Sequence, residues 1–482
     1  MLVNNATTFC DYNFTGGDMK KKRVAILAGI GLLGIIMALI CLYPHWKVVS
    51  KDFERLKSEE YDTLVMSMYP IDYYKESDYM HYRGMDAVQM VYCIPNATIM
   101  GWYMDNAKNS GNYLERVYMG IDPEHISGKE LTEIIQRNPE MFFEIVIIYP
   151  QIDYWTKMSE SKFEKVMKQY REVAEEVLAL ENMNLYSFGT EEWLIANPKN
   201  YVDEINTNEA VSEFLMCNTD YLHPYGVNRE NLDGKLAEYR TLYLKYQKHE
   251  GYPDATNKEI IFFGDSIIGN YTDSLSVPEV VSALSGAKVY NLGFGGKSAA
   301  LNEDTEVAFP QVVEAFLSGN TQSLPGESQV YAGINAYIQN KDGDAPKTFV
   351  VNYGLNDYFS GVPLETQDAY DMNSYAGALR AGVKLLQNAY PKAQILLMTP
   401  HFSINYNFGK DIRGELGGNL EAYANVVVEV AKEMNVEVLN NFQEFPISNE
   451  NWKEYQPDGT HLNEKGRFLL GERIAGRIKE NK

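Results

Sequence analysis

The chain has 482 residues, of which 45% are hydrophobic and 12% aromatic, and this composition excludes general disorder. Its formal net charge of -23 argues against nucleic acid as a partner, because clustered Lys and Arg supply most of that affinity. The cysteines have neither zinc-ligand nor disulfide-scaffold spacing, so no metal or cofactor is predicted, and Cys93 and Cys217 are either a pair or two free thiols.

The first predicted element is a membrane anchor. A basic cluster at 20–23 precedes twenty residues without a charge at 24–43, which as a helix would be about 30 Å long and match a bilayer. A buried core helix and a cleaved signal peptide are the weaker alternatives, because the run is long and no cleavage pattern follows it. The basic cluster favours a cytoplasmic tail at 1–23 and an extracytoplasmic remainder. We also expect native translation to start at Met19.

Residues 61–228 alternate short apolar runs with helical patterns, which predicts a first α/β domain with a parallel sheet. One helix is predicted before the last strand, where five apolar residues recur at helical spacing from Phe163 to Val177. An apolar stripe within 229–257 then predicts a helix that links this domain to the next. The predicted strands of the first domain are 87–93, 114–119, 143–149 and 183–188.

Residues 258–482 repeat the alternation more clearly and predict a second parallel sheet with helical crossovers. Open parallel sheets bind ligands at the carboxyl ends of their strands, so the residues that follow each strand are the candidates for function. The predicted strands are 260–263, 288–291, 348–353, 395–398 and 436–439, and the predicted helices are 374–390, 420–434 and 463–479.

Four short motifs occupy these positions in the second domain. They are Gly264-Asp-Ser, the run Asn-Leu-Gly-Phe-Gly-Gly at 291–296, Gly354-Leu-Asn-Asp, and Asp458-Gly-Thr-His before the last helix. In this order the motifs resemble the four blocks of the SGNH hydrolases, also called GDSL-type esterases. The resemblance covers 258–482 and implies a flavodoxin-like, three-layer α/β/α fold with a parallel sheet.

The motifs also supply the groups that acyl transfer requires. A serine hydroxyl becomes a useful nucleophile when an imidazole takes its proton and a carboxylate orients that imidazole. Ser266, His461 and Asp458 fit these roles, so we expect their side chains to converge. By the family's pattern, the oxyanion donors are the backbone N–H groups of Ser266 and Gly296 and the side-chain amide of Asn356.

Other residues of the motifs have plainer interpretations. Asp265 is predicted to be a structural hydrogen-bonding residue, Asp357 a helix cap, and Gly293 and Gly295 turn residues. His401 is a rival base, although it lacks a carboxylate at short spacing. The long segment between the second and third motifs is either a substrate-shaping lid or a surface excursion.

The first domain ends with Asp220 and His223, at the same spacing as Asp458 and His461. This suggests a diverged SGNH-like copy, loosely similar to extracytoplasmic SGNH-like domains that assist acyl transfer to cell-wall polymers. No Gly-Asp-Ser follows a strand there, and Gly120-Ile-Asp-Pro is not the Asn-bearing oxyanion block. We therefore predict a non-catalytic domain in which Asp220 and His223 are structural.

The sequence as a whole predicts a membrane-anchored, extracytoplasmic serine esterase. The expected reaction removes acetyl or other small acyl groups from envelope carbohydrate through an acyl-serine. An O-acyltransferase would use the same three residues, and a non-catalytic carbohydrate-binding scaffold is the alternative from another class. The expected partners are the acyl ester and the membrane.

Overall fold

In the computed structural model the backbone is described for two sheets and the helices around them. The predicted anchor at 24–43 and all four cysteines lie outside the described residues. Within the described part of the chain, no helix is both long and apolar enough to cross a membrane. The described residues are 63–67, 88–91, 104, 116–121, 124, 126–147, 150–201, 207–208, 211, 225–248, 251–303, 305–324, 328–404 and 419–479.

The first sheet has six strands in the order β2-β1-β3-β4-β5-β6, and all pairs are parallel except the antiparallel β5–β6 pair. Its elements are β1 (Thr63–Ser67), β2 (Val88–Val91), β3 (Arg116–Ile121), α1 (Gly128–Gln136), β4 (Phe142–Ile147), α2 (Ile152–Thr156), α3 (Glu160–Val177), β5 (Met183–Ser187), α4 (Glu192–Ile195), β6 (Gly226–Val227) and α5 (Leu232–Gln247).

Local sequence explains the longest helix of this half. The Ser159 hydroxyl accepts a hydrogen bond from the backbone N–H of Lys162, which fixes the start of α3. Apolar side chains then recur along one stripe, and the predicted residues from Phe163 to Val177 are all buried. Helix α5 packs on this half through Tyr239 and Tyr243, so the predicted linker helix is part of the first core.

The second sheet has five parallel strands in the order β11-β10-β9-β7-β8. Its elements are β7 (Glu259–Gly264), α6 (Ser266–Gly269), α7 (Val277–Ser285), β8 (Lys288–Gly293), α8 (Phe309–Ser318), α9 (Ser328–Asn340), β9 (Lys347–Asn352), α10 (Leu355–Phe359), α11 (Tyr375–Ala389), β10 (Gln394–Met398), α12 (Leu420–Met434), β11 (Glu437–Leu439), α13 (Asn441–Glu444) and α14 (Glu464–Ala475).

The prediction of an α/β fold with parallel sheets is confirmed. The five parallel strands of each half have the same spatial order, β2-β1-β3-β4-β5 in the first and β8-β7-β9-β10-β11 in the second. With strands numbered within each half, this is the 2-1-3-4-5 order of flavodoxin-like folds. Strand β1 and the short β6 were not among the predicted strands.

The long segment between the second and third motifs is mainly helical where it is described. Helix α8 contributes Val313 and Phe316 to the second core, and α9 contributes Ile334 and Tyr337. Gly333 lies so close to β8 that an added Cβ would come within 2.2 Å of the Asn291 carbonyl oxygen. These helices therefore pack as a crossover on the sheet, and neither is free to act as a lid.

The two halves share buried surface. The core of the first half includes Leu275, Val280 and Phe468, which belong to the second half. Polar contacts surround this apolar seam: Asn197 donates to the Ser274 carbonyl at 2.8 Å, and the Lys199 ammonium contacts Glu279. The seam therefore lies beside the segment that follows α6.

Candidate active site

Strand β7 delivers the candidate nucleophile through a tight connection. Gly264 is the last strand residue, and the Asp265 carboxylate accepts a hydrogen bond from the Ile267 N–H at 3.0 Å. This cap starts the short helix α6 at Ser266. An added Cβ on Gly269 would lie 2.4 Å from the Gly293 carbonyl carbon, so α6 crosses the end of β8 at a distance that only glycine permits.

The structure brings the three predicted catalytic side chains together in one chain of contacts. The Nε2 atom of His461 lies 2.9 Å from the Ser266 Oγ, and its Nδ1 atom lies 2.5 Å from Asp458 Oδ2. Partial burial raises the pKa of Asp458, but hydrogen bonds from His461 and from backbone N–H groups outweigh this and hold the pKa below its usual value. The carboxylate therefore stays ionised and fixes the proton of His461 on Nδ1.

The other Asp458 oxygen shapes the turn, which we name the acid–base loop (residues 457–461). Asp458 Oδ1 accepts the backbone N–H of Thr460 at 2.9 Å and that of His461 at 2.7 Å. Gly459 has a φ of +80°, a conformation that suits glycine. One aspartate thus orders the loop and orients the imidazole that the loop carries.

Residues that follow β10 contact the acid–base loop through hydrogen bonds. His401 Nε2 lies 2.9 Å from the Thr460 carbonyl oxygen, and Ser403 Oγ donates to the Gly459 carbonyl at 3.1 Å. Burial lowers the pKa of His401 to about 4, so the ring is neutral and its Nε2–H donates to Thr460. The rival-base hypothesis for His401 is therefore wrong, since its Nε2 contacts a carbonyl and it acts as a support for the acid–base loop.

The candidate oxyanion residues lie at the start of α6 (Ser266), on the turn after β8 (Gly296) and in the first turn of α10 (Asn356). Gly296 has a φ of +75°, and an added Cβ there would meet nothing within 4 Å. The side-chain amide of Asn356 donates to the Lys297 carbonyl at 3.1 Å, which ties the third motif to the second. Gly293 ends β8, and Gly295 lies against the Asn270 side chain, so both glycines shape this turn.

Asp357 does something that the sequence did not indicate. Its carboxylate accepts the backbone N–H groups of Ala299 and Ala300 at 2.9 and 3.0 Å, so it pins the strand-to-helix segment after Gly296. Asp357 lies in the first turn of α10, where its carboxylate also meets backbone groups of Gly354 and Asp357, so the predicted role at the helix start is combined with contacts to residues 57 and 58 positions away in the chain.

Two carboxyl groups are buried beneath the site. Burial raises the pKa of Asp265 and that of Asp357 to about 7, and the proximity of Asp357 adds to the shift of Asp265. Asp265 matches its prediction as a structural hydrogen-bonding residue.

Asp220 and His223 lie outside the described residues, and no cluster of three metal-binding side chains occurs among the residues that are described.

Comparisons with known proteins agree with the four motifs. Residues 262–467 match the model of the GDSL-like Lipase/Acylhydrolase family. A GDSL esterase/lipase of Arabidopsis thaliana is 28% identical over 201 residues, which cover 39% of this chain and 79% of the relative.

Among solved structures, a protein of Parabacteroides merdae described as a GDSL-like lipase is 17% identical. The match covers 48% of this chain and 100% of that one, with a TM-score of 0.32. A salicylyl-acyltransferase from a tetracycline biosynthetic pathway is 16% identical over 47% of this chain and 54% of its own, with a TM-score of 0.30. These TM-scores are below 0.5 and carry no argument, so the similarity to known proteins rests on the match of residues 262–467 to the GDSL-like family model.

Proposed function

We propose that this protein is a serine ester hydrolase that works through an acyl-serine intermediate. The observation that carries the proposal is the continuous contact from Asp458 through His461 to the Ser266 hydroxyl. With its proton on Nδ1, His461 has a free Nε2 lone pair that accepts the Ser266 proton as Oγ attacks the ester carbonyl carbon. The imidazolium then protonates the leaving alcohol, and water completes hydrolysis by the same steps.

The oxyanion of the tetrahedral intermediate needs donors that are already in place. In this proposal they are the backbone N–H groups of Ser266 and Gly296 and the second amide hydrogen of Asn356. The hydrogen bond from Asn356 to Lys297 and the two bonds to Asp357 support this arrangement, because they hold both turns before substrate arrives. Each such donor typically lowers the barrier by about 3–4 kcal/mol.

The finer proposal names the substrate as an envelope carbohydrate ester with a small acyl group, and the protein as membrane-anchored and extracytoplasmic. The apolar cavity beside the oxyanion turn, lined by Phe294, Lys297 and Tyr353 among others, is only about 10 Å³, room for about one water molecule, so it holds no long acyl chain. The apolar run at 24–43 supports anchoring. The acyl acceptor is water in this proposal, and a sugar hydroxyl as acceptor would make the protein an O-acyltransferase.

The proposal is tested with p-nitrophenyl acetate and a fluorophosphonate probe on the full chain. We expect Ser266→Ala to abolish labelling and, like His461→Ala, to lower kcat/KM by at least about 1,000-fold. Ser318→Ala, on an exposed helix end, is the matched control and should behave as wild type. Persistent labelling of Ser266→Ala would remove this serine from the nucleophile's role. Product analysis with a saccharide acceptor would separate hydrolysis from transfer.

A further inference from the structure

A cavity of about 910 Å³ lies at the seam between the two halves. The first half contributes the turn after β5, with Glu191, and the face of α5 that includes Gly234. The second half contributes residues on both sides of the catalytic pair, since Pro457 and Asn463 line the cavity and Asp458 and His461 lie between them in the chain. Ligands of open parallel sheets bind beyond the carboxyl ends of the strands, which is where this cavity lies for β5.

The polar groups of the cavity are arranged for hydroxyl groups. Glu191 lines the cavity together with Lys235 of α5 and Lys465 of α14; burial raises the pKa of Glu191, and the two ammonium groups oppose that shift. The Lys235 Nζ atom lies 3.6 Å from Glu238 Oε2, and the Lys465 Nζ atom lies 3.6 Å from Glu454 Oε2. Each lysine therefore also forms an ion pair with a second glutamate. The cavity lining thus holds both carboxylate acceptors and ammonium donors, and a sugar hydroxyl can use one of each.

Aromatic rings occupy the walls between these charges. Tyr225 packs against Phe188 with ring centroids 4.4 Å apart, and the Lys465 ammonium lies 5.1 Å from the centroid of the Tyr455 ring. Such rings give apolar surface for the C–H face of a sugar while their hydroxyls remain polar. The volume lies within the range of about 300–1,000 Å³ that is usual for small-ligand sites.

Two other ligand classes fit the cavity less well. A fatty acyl chain would match the apolar side chains of the lining, such as Trp193, Leu242 and Phe468, but it would displace water from the carboxylates and ammonium groups without offering them hydrogen bonds, which is costly. An anion such as phosphate would meet a lining with five glutamates and only three lysines, so acidic side chains outnumber basic ones. A neutral polyhydroxylated ligand avoids both penalties.

We propose that this cavity binds a saccharide chain and holds it beside the acid–base loop while an acyl-bearing unit is presented to Ser266. The inference rests on the proposed esterase function, because it assigns the carrier part of that substrate. It also gives the first half a role: its side chains build one wall of a binding site whose other wall is the base of the acid–base loop.

Gly234 offers a direct test, because an added Cβ there would meet nothing within 4 Å and the residue lines the cavity. Gly234→Trp should fill the cavity, whereas Gly234→Ala is the matched control that leaves it open. In the full-length Ser266→Ala background, calorimetry with cellohexaose, xylohexaose and chitohexaose should show binding of at least one of them. That binding should be at least 10-fold weaker with Gly234→Trp and with Glu191→Gln, and unchanged with Gly234→Ala.

Kinetics separate this inference from the esterase proposal. With Ser266 intact, Gly234→Trp should lower the ratio of kcat/KM for acetylated xylohexaose to kcat/KM for p-nitrophenyl acetate by at least 10-fold. Failure of all three oligosaccharides to bind at millimolar concentration, or equal binding by the Trp and Ala variants, would overturn the saccharide site. Loss of the esterase proposal would instead appear as fluorophosphonate labelling that survives in Ser266→Ala.

Discussion

At the scale of single residues, Asp357 connects two parts of the candidate site. Its two oxygens hold the N–H groups of Ala299 and Ala300, and its neighbour Asn356 holds the Lys297 carbonyl. Two adjacent residues of the third motif therefore bind the segment that directly follows the second motif. Asp357 does not reach the reacting atoms, so it is a positioning residue for the oxyanion turn.

We predict that Asp357→Asn lowers kcat by about 10- to 100-fold. One of the two oxygens that accept hydrogen bonds is replaced by an amide N–H₂ group, so the oxyanion turn loses a hydrogen bond. KM should change much less, since the substrate contacts are not removed. Steady-state kinetics with p-nitrophenyl acetate measure both values. Asp344→Asn, an exposed loop substitution, is the control, and equal kcat values for the two variants would contradict the prediction.

His401 gives a prediction on pH. Burial lowers the pKa of His401 to about 4 in the folded state from its usual 6.5, so between these two pH values the unfolded chain binds more protons than the native one. Its contribution to stability is therefore complete above pH 6.5 and is lost as the pH falls towards 4. His401→Gln keeps a donor for Thr460 but does not titrate in this window.

We expect the free energy of unfolding of wild type to fall more than that of His401→Gln between pH 7.5 and pH 5. Urea denaturation at both pH values measures the two differences, and other titrating groups largely cancel in the comparison. Parallel changes in the two proteins would show that His401 does not titrate in the way its burial indicates.

At the scale of secondary-structure elements, the close crossing of α6 and β8 sets the position of Ser266, the proposed nucleophile. We predict that Gly269→Ala destabilises the protein by about 1–3 kcal/mol, because its Cβ would meet backbone atoms of Gly293 and Phe294 at 2.4–2.6 Å. Gly234→Ala is the matched control in an open helical position and should stabilise by up to about 1 kcal/mol. Thermal unfolding of both variants tests this, and similar shifts in Tm would count against the crossing.

Sequence patterns located most of the elements but not all of them. Helix α12 was predicted with its observed bounds, and β10 and β11 to within one residue at either end, because long periodic runs or short apolar runs with clear breaks define them. Helix α7 was not predicted, although apolar residues recur at helical spacing at 277, 280, 281 and 284, because its nine residues are fewer than the window in which a helical period becomes clear. Strand β1 has only five residues, too few to establish a period.

At the scale of the whole molecule, the shared strand order of the two sheets supports the proposal that the first half is a diverged copy of the second. The first half also packs against the segment that follows α6. The buried Asn197 side chain donates to the Ser274 carbonyl, and the Asn208 side chain donates to the Ser274 hydroxyl at 2.9 Å. Side chains of the first half therefore hold the segment that follows α6 in the second half.

We predict that Asn197→Ala lowers the free energy of unfolding by about 1–3 kcal/mol, because it leaves buried polar groups without partners. Amide exchange in 271–276 should accelerate, although this segment belongs to the other half of the molecule. Hydrogen exchange followed by mass spectrometry measures this effect. Asn340→Ala, which removes an exposed contact with Ala336, is the control; unchanged exchange at 271–276 in Asn197→Ala would contradict the prediction.

The sequence by itself determined the α/β class, most strand positions and the family of the second half, because apolar periodicity and motifs at strand ends are local properties of the chain. Tertiary structure decided how those motifs work together. The contact between His461 and Ser266 joins residues 195 apart, the bonds of Asp357 reach back 57 and 58 residues, and His401 supports a loop 59 residues later. Such contacts depend on which strands become neighbours and on the register between them, and no local pattern of residues encodes that information.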